Sequence, residues 1–389
     1  MIGKGETCLQ TIYLDHAATS FPKPHEVAEA MTRYVETVGA TINRSIYGAA
    51  LEAELTTLSL REQLCRLFGL DDPSCVILTA GATMALNQAI SGFLHPGDHV
   101  LVSGMEHNAV MRPLLRLPDV ACTRVPCDRT GKLELSALPA LVQPDTRLFV
   151  LSHASNVCGT LQDAAAVGAF CQSHGIAFVL DAAQTAGHLD LDFGALGLSA
   201  LAVPGHKGLL GPQGIGALLL TRDFAAQLTP LIAGGTGSAS DAEDMPPFLP
   251  DRLEAGTPNL PGIYGWQAAL TVLEQQGIRN RRARETALTR RFLDGLATIP
   301  AVSLVGTRDL DARVGVIAVD FHRLDNADAS DRLATEYGVL TRCGLHCAPA
   351  AHRTLGTFPR GVVRFSLGYT TTEAEIDAAL DAIRAVSAG

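Results

Sequence analysis

The chain has 389 residues and a formal net charge of −10, with 47% hydrophobic and 18% charged residues. This length and composition indicate a globular protein of about two domains, and the negative charge argues against nucleic acid or an anionic membrane as the main partner. No apolar run is long enough to cross a bilayer, residues 1–14 carry no targeting pattern, and the nine cysteines form no disulfide framework, so we expect a cytoplasmic protein without a membrane partner.

The first two thirds of the chain alternate between strand and helix patterns. Two helices are predicted at residues 24–38 and 50–68. Short apolar runs then predict buried, mostly parallel β-strands at 75–79, 99–103, 148–152, 177–180, 201–203 and 216–220. Further helical patterns fall between these runs, at 83–93 and 163–174. This alternation predicts an α/β domain in which helices sandwich a mostly parallel sheet.

Around Pro258 the pattern changes. An acidic, proline-rich segment at 239–250 predicts a loop, and long helices follow at 262–276 and 279–297. Strands are predicted at 315–320 and 362–367, with a closing helix from residue 372. Such segregation of strands and helices indicates a smaller α+β domain. We therefore expect a large domain at 16–258 and a small C-terminal domain at 259–389, with the N-terminal segment 1–15 packing near the small one.

Two consecutive strand ends carry residues suited to covalent chemistry. Asp181 ends the apolar run before it, and Lys207 follows the next strand between Gly205 and Gly208. Ligands of open α/β sheets bind at the carboxyl ends of the strands. A Schiff-base lysine must be fixed and partly desolvated, and a carboxylate suits the pyridinium nitrogen of pyridoxal 5'-phosphate. Alone, each residue is an ordinary loop lysine or turn cap; together they favour a pyridoxal-phosphate enzyme.

A third segment resembles a phosphate site. Gly81, Ala82 and Thr83 stand where the helix at 83–93 opens, and a helix N-terminus presents free amides to an anion. Simple capping of the helix by Thr83 explains the same pattern.

A cysteine-containing loop forms the fourth segment, at 342–349. Cys347 follows His346 and lies five residues after Arg342, and a positive neighbourhood favours the thiolate form of a partly exposed cysteine. A metal site of Cys343, His346 and Cys347 lacks a second pair of ligands, so no metal is expected.

These segments belong to an ordered set of motifs that spans essentially the whole chain. The set comprises IYLDHAAT at 12–19, MEHN at 105–108, HASNV at 153–157, DAAQ at 181–184, GHK at 205–207, LEAGTPN at 253–259, RCGLHCA at 342–348 and VRFS at 363–366. With it the chain resembles the class V aminotransferase superfamily of fold-type I pyridoxal-phosphate enzymes. Within that superfamily it is similar to the SufS-like (group II) cysteine desulfurases and selenocysteine lyases.

The resemblance implies a role for each matching residue. The implied catalytic residues are Lys207, which binds the cofactor covalently, Cys347, which takes the sulfur, and His107, which stacks on the cofactor ring. Asp181 would pair with the ring nitrogen. The other implied cofactor contacts are Gly81, Ala82, Thr83, Asn156, Gln184, His206 and, from a second subunit, Thr257. The implied substrate contacts are Ala17, Asn43, Arg44, Asn156, Arg342 and Arg364, the last gripping the substrate carboxylate.

The function implied is conversion of L-cysteine to L-alanine, with sulfur left on Cys347 as a persulfide. A homodimer and a sulfur-acceptor protein are the implied partners. Alternatives are a selenocysteine lyase, another aminotransferase, lyase or epimerase of class V, and a non-catalytic scaffold, against which the intact cofactor motifs argue. Three positions depart from the pattern: Pro204 replaces a phosphate-binding serine of many relatives, Leu345 replaces a histidine, and Cys343 replaces a small polar residue.

Overall fold

A computed structural model describes residues 11–43, 45–239 and 241–388. Arg44, one of the expected substrate contacts, lies outside the described residues. The strands are β1 (Ile12–Tyr13), β2 (Val76–Thr79), β3 (His99–Ser103), β4 (Ala121–Val125), β5 (Thr146–Ser152), β6 (Ala177–Asp181), β7 (Ala200–Pro204), β8 (Gly216–Leu220), β9 (Val302–Val305), β10 (Val316–Phe321), β11 (Val339–Leu340), β12 (Arg342–Gly344) and β13 (Val362–Ser366).

The α-helices lie between these strands and after the last of them. They are α1 (His25–Arg33), α2 (Gly48–Phe68), α3 (Ala82–Ser91), α4 (Asn108–Leu114), α5 (Leu138–Leu141), α6 (Ala164–His174), α7 (Arg222–Gln227), α8 (Leu260–Gln276), α9 (Ile278–Leu296), α10 (Asn326–Tyr337), α11 (Pro349–Leu355) and α12 (Glu373–Ala388). No helix of the described residues has both the length and the apolar character needed to cross a membrane.

A seven-stranded sheet organises the first part of the chain, in the order β2-β8-β7-β6-β5-β3-β4. Four neighbouring pairs are parallel, and β8 runs antiparallel to both β7 and β2. Leu60, Val167 and Trp266 belong to a core that contains parts of α2, α6 and α8, while Leu86 and Phe224 belong to a second core with parts of α3 and α7. The four parallel pairs confirm the predicted mostly parallel sheet, and the two cores confirm that helices cover it on both faces.

A second, antiparallel sheet has the order β12-β13-β10-β9. Its core includes Phe292 of α9, Leu333 of α10 and Ile383 of α12, which matches the expected α+β arrangement. The N-terminal strand β1 pairs in parallel with β11, and Ile12 and Leu14 are buried in this same core. Residues 11–15 therefore lie against the second sheet.

The boundary between the two parts stays a prediction. Tyr264, Trp266 and Leu273 of α8 pack in the core of the large sheet, although the predicted small domain begins at residue 259. The neighbouring helix α9 packs in the core of the small sheet instead. We propose that the division lies between these helices, near Gly277.

Candidate active site

The carboxyl ends of the large sheet's strands open into one pocket. Nine of the expected residues line it: Gly81, Ala82, Thr83, His107, Asn156, Asp181, Gln184, His206 and Lys207. Because β5, β6 and β7 are adjacent and parallel, the segments that follow them meet at the same sheet edge. Residues separated by more than 120 positions in the chain thus share one cavity.

Asp181 and Lys207 have opposing electrostatic environments. Asp181 is buried at the end of β6, where burial raises the pKa of its carboxyl group, although the Ala183 amide donates to Oδ1 at 2.9 Å. Burial lowers the pKa of Lys207 to about 8; the Asp181 charge opposes this change, and the charges of Arg364 and Arg342 add to it. An amine with this pKa is partly deprotonated near neutral pH, as a nucleophile or proton acceptor requires.

The N-terminus of α3 faces the same pocket. Gly81 caps the helix with φ +142°, which favours glycine, and nothing lies within 4 Å of the place where its side chain would begin. The helix has ten residues and no side-chain cap hydrogen bond, so its first amides are available to a ligand. This open, unblocked helix end can hold a phosphate group.

His107 lies just before α4, and its side chain caps that helix. Its Nδ1 accepts a hydrogen bond from the Ala109 amide at 3.0 Å, so the neutral ring carries its proton on Nε2. Burial, followed by the charges of Lys207 and Arg342, lowers the pKa of His107 to about 4. The ring is therefore an uncharged, flat surface in the pocket at neutral pH.

The Cys347 loop is held against the large sheet's edge by two hydrogen bonds to its main-chain carbonyls. Asn108 donates its amide to the Cys347 carbonyl at 2.8 Å, and Asn156 Nδ2 donates to the His346 carbonyl at 2.7 Å. His346 and Cys347 both have left-handed backbone, with φ +50° and +58°, a conformation that is uncommon without glycine and concentrates at functional sites. The Cys347 side chain is exposed, with Sγ 3.9 Å from Arg342 Nη2.

Arg364 on β13 is almost fully buried beside this loop. Its Nη1 donates to the Asn156 carbonyl at 3.0 Å, and its Nη2 pairs with Asp15 Oδ1 at 2.5 Å. The buried Nε has no hydrogen-bond partner within the described residues. Arg364 is therefore a buried guanidinium group with one unsatisfied donor.

Six other expected residues do not line this pocket: Arg342, Cys347 and Arg364, which are described above, and Ala17, Asn43 and Thr257. Ala17 lines a small chamber behind Lys207, together with Gln184, whose Nε2 donates to the Ala17 carbonyl at 3.2 Å. Asn43 and Thr257 line a neighbouring pocket of which Lys207 is no part. The roles of all the expected site residues stay predictions.

Several residues that hold the site together are not among those predicted from the sequence. Asp15 pairs with Arg364, and Thr19, Ser20 and Lys23 all donate to the His206 carbonyl. Asp15 and Thr19 fall inside the IYLDHAAT motif, which was the only available signal. Lys23 lies outside every motif, and nothing in the sequence alone connects it with residue 206.

Comparison with known proteins agrees with this geometry. The family model for aminotransferase class-V matches residues 12–379. The chain is 31% identical to a probable cysteine desulfurase of Methanothermobacter thermautotrophicus, covering 94% of this chain and 92% of that one, and 30% identical to the cysteine desulfurase CsdA of Escherichia coli, covering 96% and 93%.

Solved structures extend the likeness to three dimensions. A cysteine desulfurase from Thermococcus onnurineus superposes with a TM-score of 0.91 at 28% identity, covering 97% of this chain and 95% of that one. Escherichia coli CsdA superposes with a TM-score of 0.86 at 29% identity, covering 97% and 94%. With the family model matching nearly the whole chain and the strand ends forming the expected pocket, this protein belongs to the aminotransferase class-V family.

Proposed function

We propose that this protein is a pyridoxal-phosphate-dependent cysteine desulfurase that converts L-cysteine to L-alanine and takes the sulfur on Cys347. The observation that carries the proposal is the position of Cys347, exposed in a loop tethered to Asn108 and Asn156, with Arg342 at its sulfur. The similarity to proteins named as cysteine desulfurases supports it.

The residues of the pocket fit the cofactor. The open N-terminus of α3, with Thr83 and His206 beside it, would hold the phosphate, and the buried carboxyl of Asp181 would pair with the ring nitrogen. His107 would stack on the ring, and Asn156 and Gln184 would lie near its phenolic oxygen. Pro204 ends β7 without a hydroxyl group, so the phosphate would have one contact fewer than in many relatives. When bound, pyridoxal phosphate supplies an electron sink that makes the α-proton of an amino acid acidic.

The chain's own residues would then bind and deprotonate the substrate. Arg364 would bind the α-carboxylate through its guanidinium group, whose position is fixed by Asp15 and the Asn156 carbonyl. Lys207, whose pKa of about 8 leaves part of it as free amine, would accept the α-proton. Holding both groups in place lowers the entropic part of the barrier.

Sulfur transfer uses a thiolate on Cys347. The C–S bond of cysteine breaks, an S–S bond forms with Cys347, and a proton ends on the β-carbon, so cysteine and thiolate give alanine and persulfide with atoms and charge balanced. The Arg342 guanidinium lies 3.9 Å from Sγ and would attract the negatively charged sulfur before and after the transfer.

The testing experiment incubates the purified, cofactor-loaded protein with L-cysteine and with selenocysteine in separate reactions. We expect alanine and sulfide in equal amounts from cysteine in the presence of a reducing thiol, and a persulfide on Cys347 by mass spectrometry without it. Activity on selenocysteine alone would assign the protein to the selenocysteine lyases, and neither product would point to another reaction of the class V family.

Arg364→Ala is expected to raise KM for cysteine while cofactor binding persists. Loss of a charge-assisted contact to the carboxylate typically weakens binding by about 1.5–3 kcal/mol. Arg360→Ala is the control, since Arg360 forms a surface pair with Asp320 instead. Steady-state kinetics measure the effect, and an unchanged KM in Arg364→Ala would make Arg364 a structural partner of Asp15 only.

A second copy of the chain is the proposed partner, and an exposed apolar surface supports it. Leu51, Leu55 and Leu58 of α2 are 52%, 57% and 43% exposed at helical spacing, next to the exposed Ile46 and Tyr47. An apolar stripe of this kind marks an interface, and oligomers of one chain are mostly two-fold symmetric. The adjoining pocket contains Thr257, the residue expected to complete the phosphate site of the partner subunit.

Leu55→Glu is expected to convert the dimer to monomer and to weaken cofactor retention, because a charge would be buried at the interface. The matched control is Leu115→Glu, which alters an exposed leucine next to α4 at the other end of the large sheet. Light scattering and cofactor content measure both effects. A wild-type monomer with full cofactor content would contradict the dimer.

The sulfur acceptor and the cellular location stay predictions. A thiol-bearing acceptor protein would approach Cys347 from the exposed side of its loop. A cytoplasmic location rests on the sequence alone.

A further inference from the structure

A single carbonyl oxygen, that of His206, receives four hydrogen bonds from the N-terminal segment. The Ser20 amide donates at 3.1 Å, Thr19 Oγ1 at 3.1 Å, Ser20 Oγ at 3.2 Å and Lys23 Nζ at 2.6 Å. The Lys23 contact is the shortest and the only one with a charged donor. A carbonyl oxygen has two lone pairs, so this many donors on one atom is an unusual concentration.

Lys23 is not a solvated surface lysine. Its side chain is half-buried, and its second contact is Ser20 Oγ at 2.8 Å. Burial lowers the pKa of Lys23 to about 8, and no carboxylate of the described residues contributes to raise it. An ammonium group that loses water must gain strong partners in return, and here the partner is the His206 carbonyl.

That carbonyl belongs to the peptide unit from which Lys207 extends. Because the peptide group is planar, an oxygen held from one side fixes the plane that carries the Lys207 nitrogen and hence the direction of its Cα. The same segment also fixes the His206 ring, whose Nδ1 lies 3.1 Å from Thr19 Oγ1. Lys23 therefore acts on the two residues expected to hold the cofactor covalently and at its phosphate.

The N-terminal segment is itself anchored on both sides of the pocket. Ala17 donates its amide to Ser366 Oγ at 2.9 Å and accepts from Gln184, while Asp15 pairs with Arg364. Residues 15–23 thus link the substrate-binding side of the site, on the second sheet, to the Lys207 loop on the first.

We propose that Lys23 is a positioning residue for Lys207, acting through its ammonium contact with the carbonyl of His206. The inference rests on the proposed cofactor chemistry of Lys207, but it does not require that the substrate be cysteine. Lys23 touches no reacting atom; it orients the peptide from which Lys207 and His206 project.

The test compares Lys23→Met, Lys23→Arg and a matched control, Lys132→Met, in the full-length protein loaded with pyridoxal phosphate. Lys132 Nζ also donates to a main-chain carbonyl, that of Leu161 at 2.9 Å, outside the pocket. The readouts are the visible absorbance band of the Lys207-bound cofactor, the rate of cofactor loss during dialysis, and the melting temperature of the cofactor-free protein.

We expect Lys23→Met to lose cofactor roughly tenfold to a hundredfold faster than the wild type, the range expected when a hydrogen bond to a charged group is lost. Its absorbance band should be displaced or weakened. Lys23→Arg should restore most of both properties, because it keeps the charge and the donors. Lys132→Met should match the wild type in band and in rate.

A Lys23→Met protein with wild-type band and rate would overturn the inference and leave the proposed function intact. Equal cofactor loss in Lys23→Met and Lys132→Met, in proportion to a fall in melting temperature, would also overturn it, since the effect would then be general stability. A wild-type chain that takes up no pyridoxal phosphate would overturn the proposed function and the inference together.

Discussion

Cys347→Ser is expected to release almost no alanine or sulfide from cysteine while it still binds the cofactor and still changes its spectrum when cysteine is added. In the proposed mechanism, cofactor and substrate binding depend on Lys207, Arg364 and the pocket, none of which the substitution alters. Sulfur acceptance depends on a thiolate, and a serine hydroxyl has too high a pKa to replace it. Product assays and absorbance spectra on the same sample separate the two steps.

The matched control is Cys343→Ser. Successive residues of a strand point to opposite faces, so Cys343 faces away from its neighbour Arg342 on β12, and its side chain packs against the core of the small sheet. The Cys343→Ser variant should therefore keep most of its cysteine turnover, with at most a small loss of stability. Full cysteine turnover in both variants would refute the desulfurase assignment, and an inactive Cys343→Ser beside an active Cys347→Ser would mean that Cys343 accepts the sulfur.

Selenocysteine must be kept out of this comparison. Selenium is a better leaving group than sulfur and departs without the enzyme's thiol, so activity of Cys347→Ser on selenocysteine does not bear on the sulfur-accepting role. L-cysteine is the substrate that distinguishes the two thiols.

Lys207→Ala is expected to abolish the visible absorbance band of the bound cofactor and to lower turnover by roughly 10²–10⁴-fold or more, the range for loss of a positioned proton-transfer group. The wild-type protein should be yellow, because burial keeps the pKa of Lys207 near 8 and so leaves free amine for the covalent bond. Absorbance spectra before and after borohydride reduction measure the effect.

Lys207→Arg provides the control for charge. It keeps the positive charge beside Asp181 but lacks a nucleophilic amine, so its band should be lost as in Lys207→Ala. A wild-type protein that stays colourless with added pyridoxal phosphate would remove the basis of the cofactor assignment. A band that survives in Lys207→Ala would place the covalent bond on another lysine.

The central strands could be predicted from the sequence because the pattern that indicates them, a continuous apolar run, is local. The predicted runs at 99–103 and 216–220 coincide with β3 and β8, since strands buried on both faces are continuous apolar runs bounded by turn residues. The edge strand β4 escaped prediction because its residues are largely exposed, and α4 escaped because it is short and contains Pro113.

The sequence by itself also predicted that Asp181 and Lys207 would lie in the same pocket. Asp181 and Lys207 end neighbouring parallel strands, and parallel strands present their carboxyl ends at one edge, so their meeting follows from local patterns and one rule of topology. The motifs then supplied the identity of the other residues of the pocket. These parts needed no knowledge of how distant segments pack.

Only the tertiary structure decided the contacts that residues 15–23 make with the Lys207 loop and with β13. Lys23 meets the His206 carbonyl across 183 positions of sequence, and Asp15 meets Arg364 across 349. Such contacts depend on how β1 docks on β11 and how the two sheets face each other, which no local periodicity encodes. The positions of Asn43 and Thr257 in a separate pocket have the same cause, because the side chains that a cavity gathers are set by packing between elements and not by order along the chain.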